Sequence, residues 1–95
     1  MRNNNLAFLD LETTGKNLLK HEIIEIGCVI ATPDLKIIEE FELKVKPEHI
    51  EDADPVALKV NGYKEEDWAD AISLREAMQV LVEKLKDCIL VGQNV

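Results

Sequence analysis

Leu6-Ala7-Phe8-Leu9 is an unbroken apolar run that closes on Asp10-Leu11-Glu12, with Thr13-Thr14-Gly15 directly behind it. A run apolar at successive positions suits a central strand covered on both faces, and the Thr-Thr-Gly step ends it. The chain must therefore build a sheet around this segment. On a strand, residues i and i+2 share a face with Cα atoms about 6.5–7 Å apart, which sets Asp10 and Glu12 side by side. Carboxylates at such a place are costly unless paired or bound to a cation, and two on one face repel each other. An oxygen-preferring divalent ion, Mg²⁺ or Mn²⁺, removes both costs. The alternative is that the pair reaches solvent or caps the Thr13-Thr14 turn.

Residues 22–32 (EIIEIGCVIAT) read as a second strand, long and β-branched, closed by Pro33-Asp34. Residues 36–46 read as a third, where Phe41, Leu43 and Val45 alternate with Glu40, Glu42, Lys44 and Lys46. Short turns between the three favour an antiparallel meander. A short helix follows, with Asp54 as N-cap, Pro55 in its first turn and Asn61-Gly62 as its stop. A longer helix starts at a capping box, Ser73 and Glu76, and carries the stripe Leu74, Ala77, Met78, Leu81, Val82 and Leu85, expected to pack on the core. Cys88-Ile89-Leu90-Val91 is a fourth strand, expected parallel to the first. The order β-β-β-α-α-β predicts an α/β mixed sheet.

The chain has 95 residues, a hydrophobic fraction of 46% and a charged fraction of 32%, the balance of a globular domain. No run approaches the ~20 apolar residues of a membrane span. Asp10 and Glu12 interrupt the first apolar segment, which excludes a signal peptide and predicts a cytoplasmic protein. Cys28 and Cys88, with no CxxC or Cys/His cluster, read as buried thiols. The net charge of −8 opposes polyanion binding through basic side chains, yet divalent ions supply the missing positive charge in a metal-dependent enzyme. An acidic docking or nucleic-acid-binding module without catalysis is the other class open at this point.

Phe8-Leu9-Asp10-Leu11-Glu12-Thr13-Thr14-Gly15 resembles the first motif of the DEDD (DnaQ-like) 3′–5′ exonuclease superfamily, to which the proofreading subunit of the bacterial replicative polymerase belongs. The likeness continues through His21 to Gly27, Val45-Lys46-Pro47, Val60 to Tyr63, and Val91 to Val95, which resembles the opening of the second motif with Gln93 for the commoner His. The resemblance implies a ribonuclease H-like fold. It implies two-metal hydrolysis of terminal phosphodiester bonds in DNA or RNA, at a single-stranded or frayed 3′ end, releasing nucleoside 5′-monophosphates. Asp10 would bridge the two ions (Mg²⁺ or Mn²⁺) and Glu12 would ligate one. Leu11, Thr13, Thr14, Gly15 and Asn61 would lie at the terminal nucleotide, the Thr14 hydroxyl among the contacts.

The family's third carboxylate would fall beyond Val95, and its last motif, with the closing Asp and a His or Tyr base, is absent. Residues 1–95 thus read as the N-terminal part of a single exonuclease domain, truncated and inactive alone. Its open sheet edge and uncovered apolar face are expected to favour a homo-oligomer or domain swap. His21 and His49 are expected in solvated loops and Trp68 in the core. Glu25, alternating with Ile23 and Gly27, is placed toward the covered side of its strand, needing a partner the sequence does not name.

Overall fold

The computed structural model describes residues 4–17 and 19–92. Strand β1 (Leu6–Thr13) pairs antiparallel with β2 (Ile23–Ala31), and β2 pairs antiparallel with β3 (Ile37–Lys44). Strand β4 (Ile89–Gly92) joins the other side of β1 in parallel, so the sheet order is β3-β2-β1-β4. Leu35, at φ +67°, turns the β2–β3 connection. Between β3 and β4 run α1 (Pro55–Val60), a 3₁₀ turn (Glu65–Trp68) and α2 (Leu74–Lys84).

Local chemistry sets these helix limits as the sequence predicts. The Asp54 carboxylate accepts from the Val56 amide at 2.9 Å, and Gly62, at φ +67°, takes the left-handed turn that ends α1. Both halves of the Ser73–Glu76 capping box form.

One face of the sheet packs under α2. Ile26 and Val45 are buried against Ala77 and Leu81, with Leu9, Phe41, Leu43 and Leu85 packed around them. A second cluster, Ala7, Cys28 and Ile30, continues this core toward β4. The apolar stripe of α2 is wider than the sheet it meets: Leu74, Met78 and Val82 stand 45%, 46% and 70% exposed. Only the Ala77–Leu81 side is core, because a single helix on a sheet buries a narrow arc of its circumference. Cys88 likewise is only half-buried, unlike Cys28. Trp68 is core as expected, with its indole N–H donating to the Ile24 carbonyl at 2.8 Å and the Tyr63 ring at a centroid distance of 4.8 Å.

The opposite face departs from the expectation of a strand covered on both sides. Phe8, Asp10 and Glu12, with Val29, Gly27 and Glu25 across from them, include no buried residue. The one long helix of the described residues already covers the other face. Among the described residues, no helix is long and apolar enough to cross a membrane.

Candidate active site

Strand alternation puts Asp10 and Glu12 on this open face and Leu9 and Leu11 on the other. Asp10 lies opposite Gly27, and Glu12 opposite Glu25. Gly27 lacks the side chain that would stand beside Asp10, and a groove of about 480 Å³ runs over this point, lined by Phe8, Asp10, Gly27, Val29, Glu40 and Glu42. Its walls are acidic and its floor is apolar. Asp10 is exposed at its rim and Glu12 half-buried beside it, past the groove's end.

The segment after Glu12 is fastened from several sides. The ladder shifts register between Glu12 and Thr13. The Thr13 hydroxyl donates to the Gly15 carbonyl at 2.7 Å, and the Asn61 side-chain amide donates to the Thr13 carbonyl at 2.8 Å. Thr14 is 1% exposed; its amide donates to the Glu22 carbonyl and its hydroxyl accepts from the Glu22 amide. The Thr14 hydroxyl is therefore buried and tied to the Glu22 backbone. It closes the loop because the chain must reverse there into β2. Gly15 is needed for close approach: a Cβ there would lie 2.2 Å from Nδ1 of His21, whose ring packs over it. His21 is thus half-buried and accepts from the Asn17 amide, rather than standing in solvent, whereas His49 is exposed. Leu11 is 45% exposed, and Gly15 and Asn61 are half-buried at this end of β1. Gln93, Asn94 and Val95, where the second motif was placed, lie outside the described residues.

One residue of this face was misplaced by sequence reasoning. Glu25 does not face the covered side; it stands beside Glu12 and pairs with Lys44 at 3.3 Å. Its two-residue spacing from Gly27 carried the information, but only the β1–β2 register relates that spacing to Glu12.

Desolvation first, then the negative charges of Glu25, Asp10 and Glu42, push the Glu12 carboxyl above its ordinary 4.5. A proton then binds the folded chain better than the unfolded one, so Glu12 destabilises the fold as pH rises from 4.5 through its raised pKa. In metal-free buffer, Glu12→Gln is expected to match the parent's denaturant midpoint below that window and to exceed it progressively above. A gap between the two that stays constant from pH 4 to 7 would contradict this (the range being roughly that of a raised carboxylate).

The residues fit a divalent ion. Asp10 and Glu12 supply hard oxygen donors on one face, and among the described residues no lysine, arginine or histidine forms an ion pair with either. Negative charge from Glu25, Asp10 and Glu42 adds to desolvation in raising the Glu12 pKa, and a cation would neutralise that charge. A separate group, His49, Glu51 and Asp52, brings donor atoms within 4.8 Å of one another on an exposed 3₁₀ turn. It contains neither Asp10 nor Glu12.

Comparison with known proteins agrees with this fold. Residues 7–95 match the sequence profile of the RNase T exonucleases. The chain is 34% identical over 82 residues to an oligoribonuclease of Corynebacterium diphtheriae, covering 80% of this chain and 39% of that protein. It is 34% identical over 88 residues to a PolC-type DNA polymerase III of Caldanaerobacter subterraneus, covering 90% of this chain and 6% of the polymerase. A 3′-exonuclease solved in specific recognition of the 3′ end of a histone mRNA stem-loop superposes with a TM-score of 0.80 at 19% identity, over 100% of this chain and 48% of its own. The chain thus spans less than half the length of these relatives. With a ribonuclease H-like mixed sheet and a match running over nearly its whole length, the chain belongs to the RNase T exonuclease family of DEDD nucleases.

Proposed function

We propose that this chain contributes the first two metal-ligating carboxylates of a 3′–5′ exonuclease acting on the 3′ end of DNA or RNA, single-stranded or frayed, with release of nucleoside 5′-monophosphates. The observation that carries the reading is the unpaired Asp10–Glu12 couple on one open face of the central strand. Two divalent ions (Mg²⁺ or Mn²⁺), if bound, would supply activation of an attacking water and charge neutralisation at the leaving 3′ oxygen. Asp10, exposed, would hold both ions, and Glu12, half-buried beside it, one of them. Leu11, Thr13, Gly15 and Asn61 border the end of β1 where the terminal nucleotide would lie. Asn61 acts there by holding the Thr13 carbonyl, and Thr14 by anchoring the loop to Glu22.

Asp10 and Glu12 by themselves are expected to bind metal and to support little turnover. The test is Mn²⁺ titration followed by electron paramagnetic resonance, on the parent and on Asp10→Ala. Loss of binding in the variant supports the reading; identical binding removes it. The cytoplasm is the compartment proposed, in keeping with two unpaired thiols. Self-association is proposed through the edge of β4, where Ile89 and Leu90 are 53% and 60% exposed. Light scattering over a concentration series that reports a monomer throughout would end that part of the reading.

A further inference from the structure

The open face carries a row of three ionisable side chains across three strands. Glu12 on β1 lies opposite Glu25 on β2, and Glu25 opposite Lys44 on β3. Directly opposed side chains have Cβ atoms about 4.5–5.5 Å apart, so Glu25 is as near to Glu12 as a ladder neighbour allows. Left free, Glu25 would be a third oxygen donor beside the Asp10–Glu12 couple.

It is not free. Lys44 Nζ lies 3.3 Å from Glu25 Oε1 and 4.5 Å from the centroid of the Trp68 ring. The ring is a fixed seat, held by its bond to the Ile24 carbonyl and flanked by Tyr63. A cation over an aromatic face is attracted to it, so the ammonium is restrained on both sides. The Glu25 side chain is 19% exposed and that of Lys44 38%, which shields the pair from solvent more than an ordinary surface bridge.

We propose that Lys44 is a positioning residue: seated on Trp68, it holds Glu25 out of the neighbouring site, so that this end of the sheet offers a divalent ion Asp10 and Glu12 without Glu25. This rests on the metal-binding reading above. It assigns opposite effects to the two partners. Removing Lys44 frees a carboxylate next to the site, and removing the Glu25 charge leaves an unpaired ammonium there.

The experiment is Mn²⁺ titration by paramagnetic resonance on the parent, Lys44→Met, Glu25→Gln, the double variant and Lys44→Arg. Glu25→Gln is expected to weaken Mn²⁺ binding by about three- to fivefold, the scale of a unit charge acting on a divalent ion at about 10 Å in a water-like dielectric, and Lys44→Met to tighten it by at least about threefold, more where the freed Glu25 ligates. The double variant should return close to the parent, and Lys44→Arg should keep the parent's affinity, since arginine also stacks on an aromatic face. A pair that merely stabilises the sheet would shift both single variants in the same direction or neither. Affinity in folded Lys44→Met that equals or falls below the parent's overturns the inference. Should Lys44→Met fail to fold, Glu25→Gln decides it: unchanged or tighter binding there overturns the inference equally. Failure of the underlying reading looks different, because the parent and Asp10→Ala would then bind alike.

Discussion

Trp68→Ala is expected to lower the unfolding free energy by about 3–5 kcal/mol, the cost of truncating a large buried aromatic side chain. Trp68 is 5% exposed, and its loss opens a cavity beside the Tyr63 ring. It also removes the donor to the Ile24 carbonyl, and an acceptor left buried without a partner adds to the deficit. For a domain of this length, total stability is on the order of 5–14 kcal/mol, so the variant would stand near the limit of folding. Urea unfolding followed by far-ultraviolet circular dichroism measures it, since Trp68 is the single tryptophan and fluorescence would vanish with it. Trp68→Phe retains most of the apolar contact and isolates the hydrogen bond, with an expected cost of about 1–3 kcal/mol. A Trp68→Ala loss below roughly 1 kcal/mol, the scale of an ordinary substitution, would show that the indole is not the support described.

Mn²⁺ is expected to raise the stability of the parent by about 2.7 kcal/mol at a hundredfold excess over its Kd, and to leave Asp10→Ala unmoved. An ion that binds the folded chain alone shifts the equilibrium by mass action. At about 4–8 °C per kcal/mol for a domain of this size, the midpoint should rise by roughly 10 °C or more. The gain has a local cause. Desolvation first, then the charges of Glu25, Asp10 and Glu42, raise the Glu12 pKa, an imbalance that a cation at this carboxylate would relieve. Calorimetry of both chains with and without Mn²⁺ gives the result directly. Equal shifts in the two would assign the stabilisation to another cluster, such as His49, Glu51 and Asp52.

Much of this protein can be read along the chain, because the features concerned are local. Strand alternation, the Ser73–Glu76 box, the Asp54 cap and the Asn61-Gly62 stop depend on residues within one or two turns of each other, and the structure has each of them. The pairing of Asp10 with Glu12 on one face is of the same kind, since a period of two needs no tertiary information. Other features were settled only when distant segments met. Which part of the α2 stripe is buried depends on the width of the sheet beneath it, and Leu74, Met78 and Val82 fall outside that width. The Thr14 hydroxyl turns inward because Glu22 returns beside it, and Glu25 stands next to Glu12 because the β1–β2 register puts it there. Its partner Lys44 comes from a third strand and is steadied by an indole 24 positions further along the chain. Periodicity assigns a side chain to a face, while register and packing choose its neighbours, and apart from Asp10 the charges around Glu12 are all such neighbours.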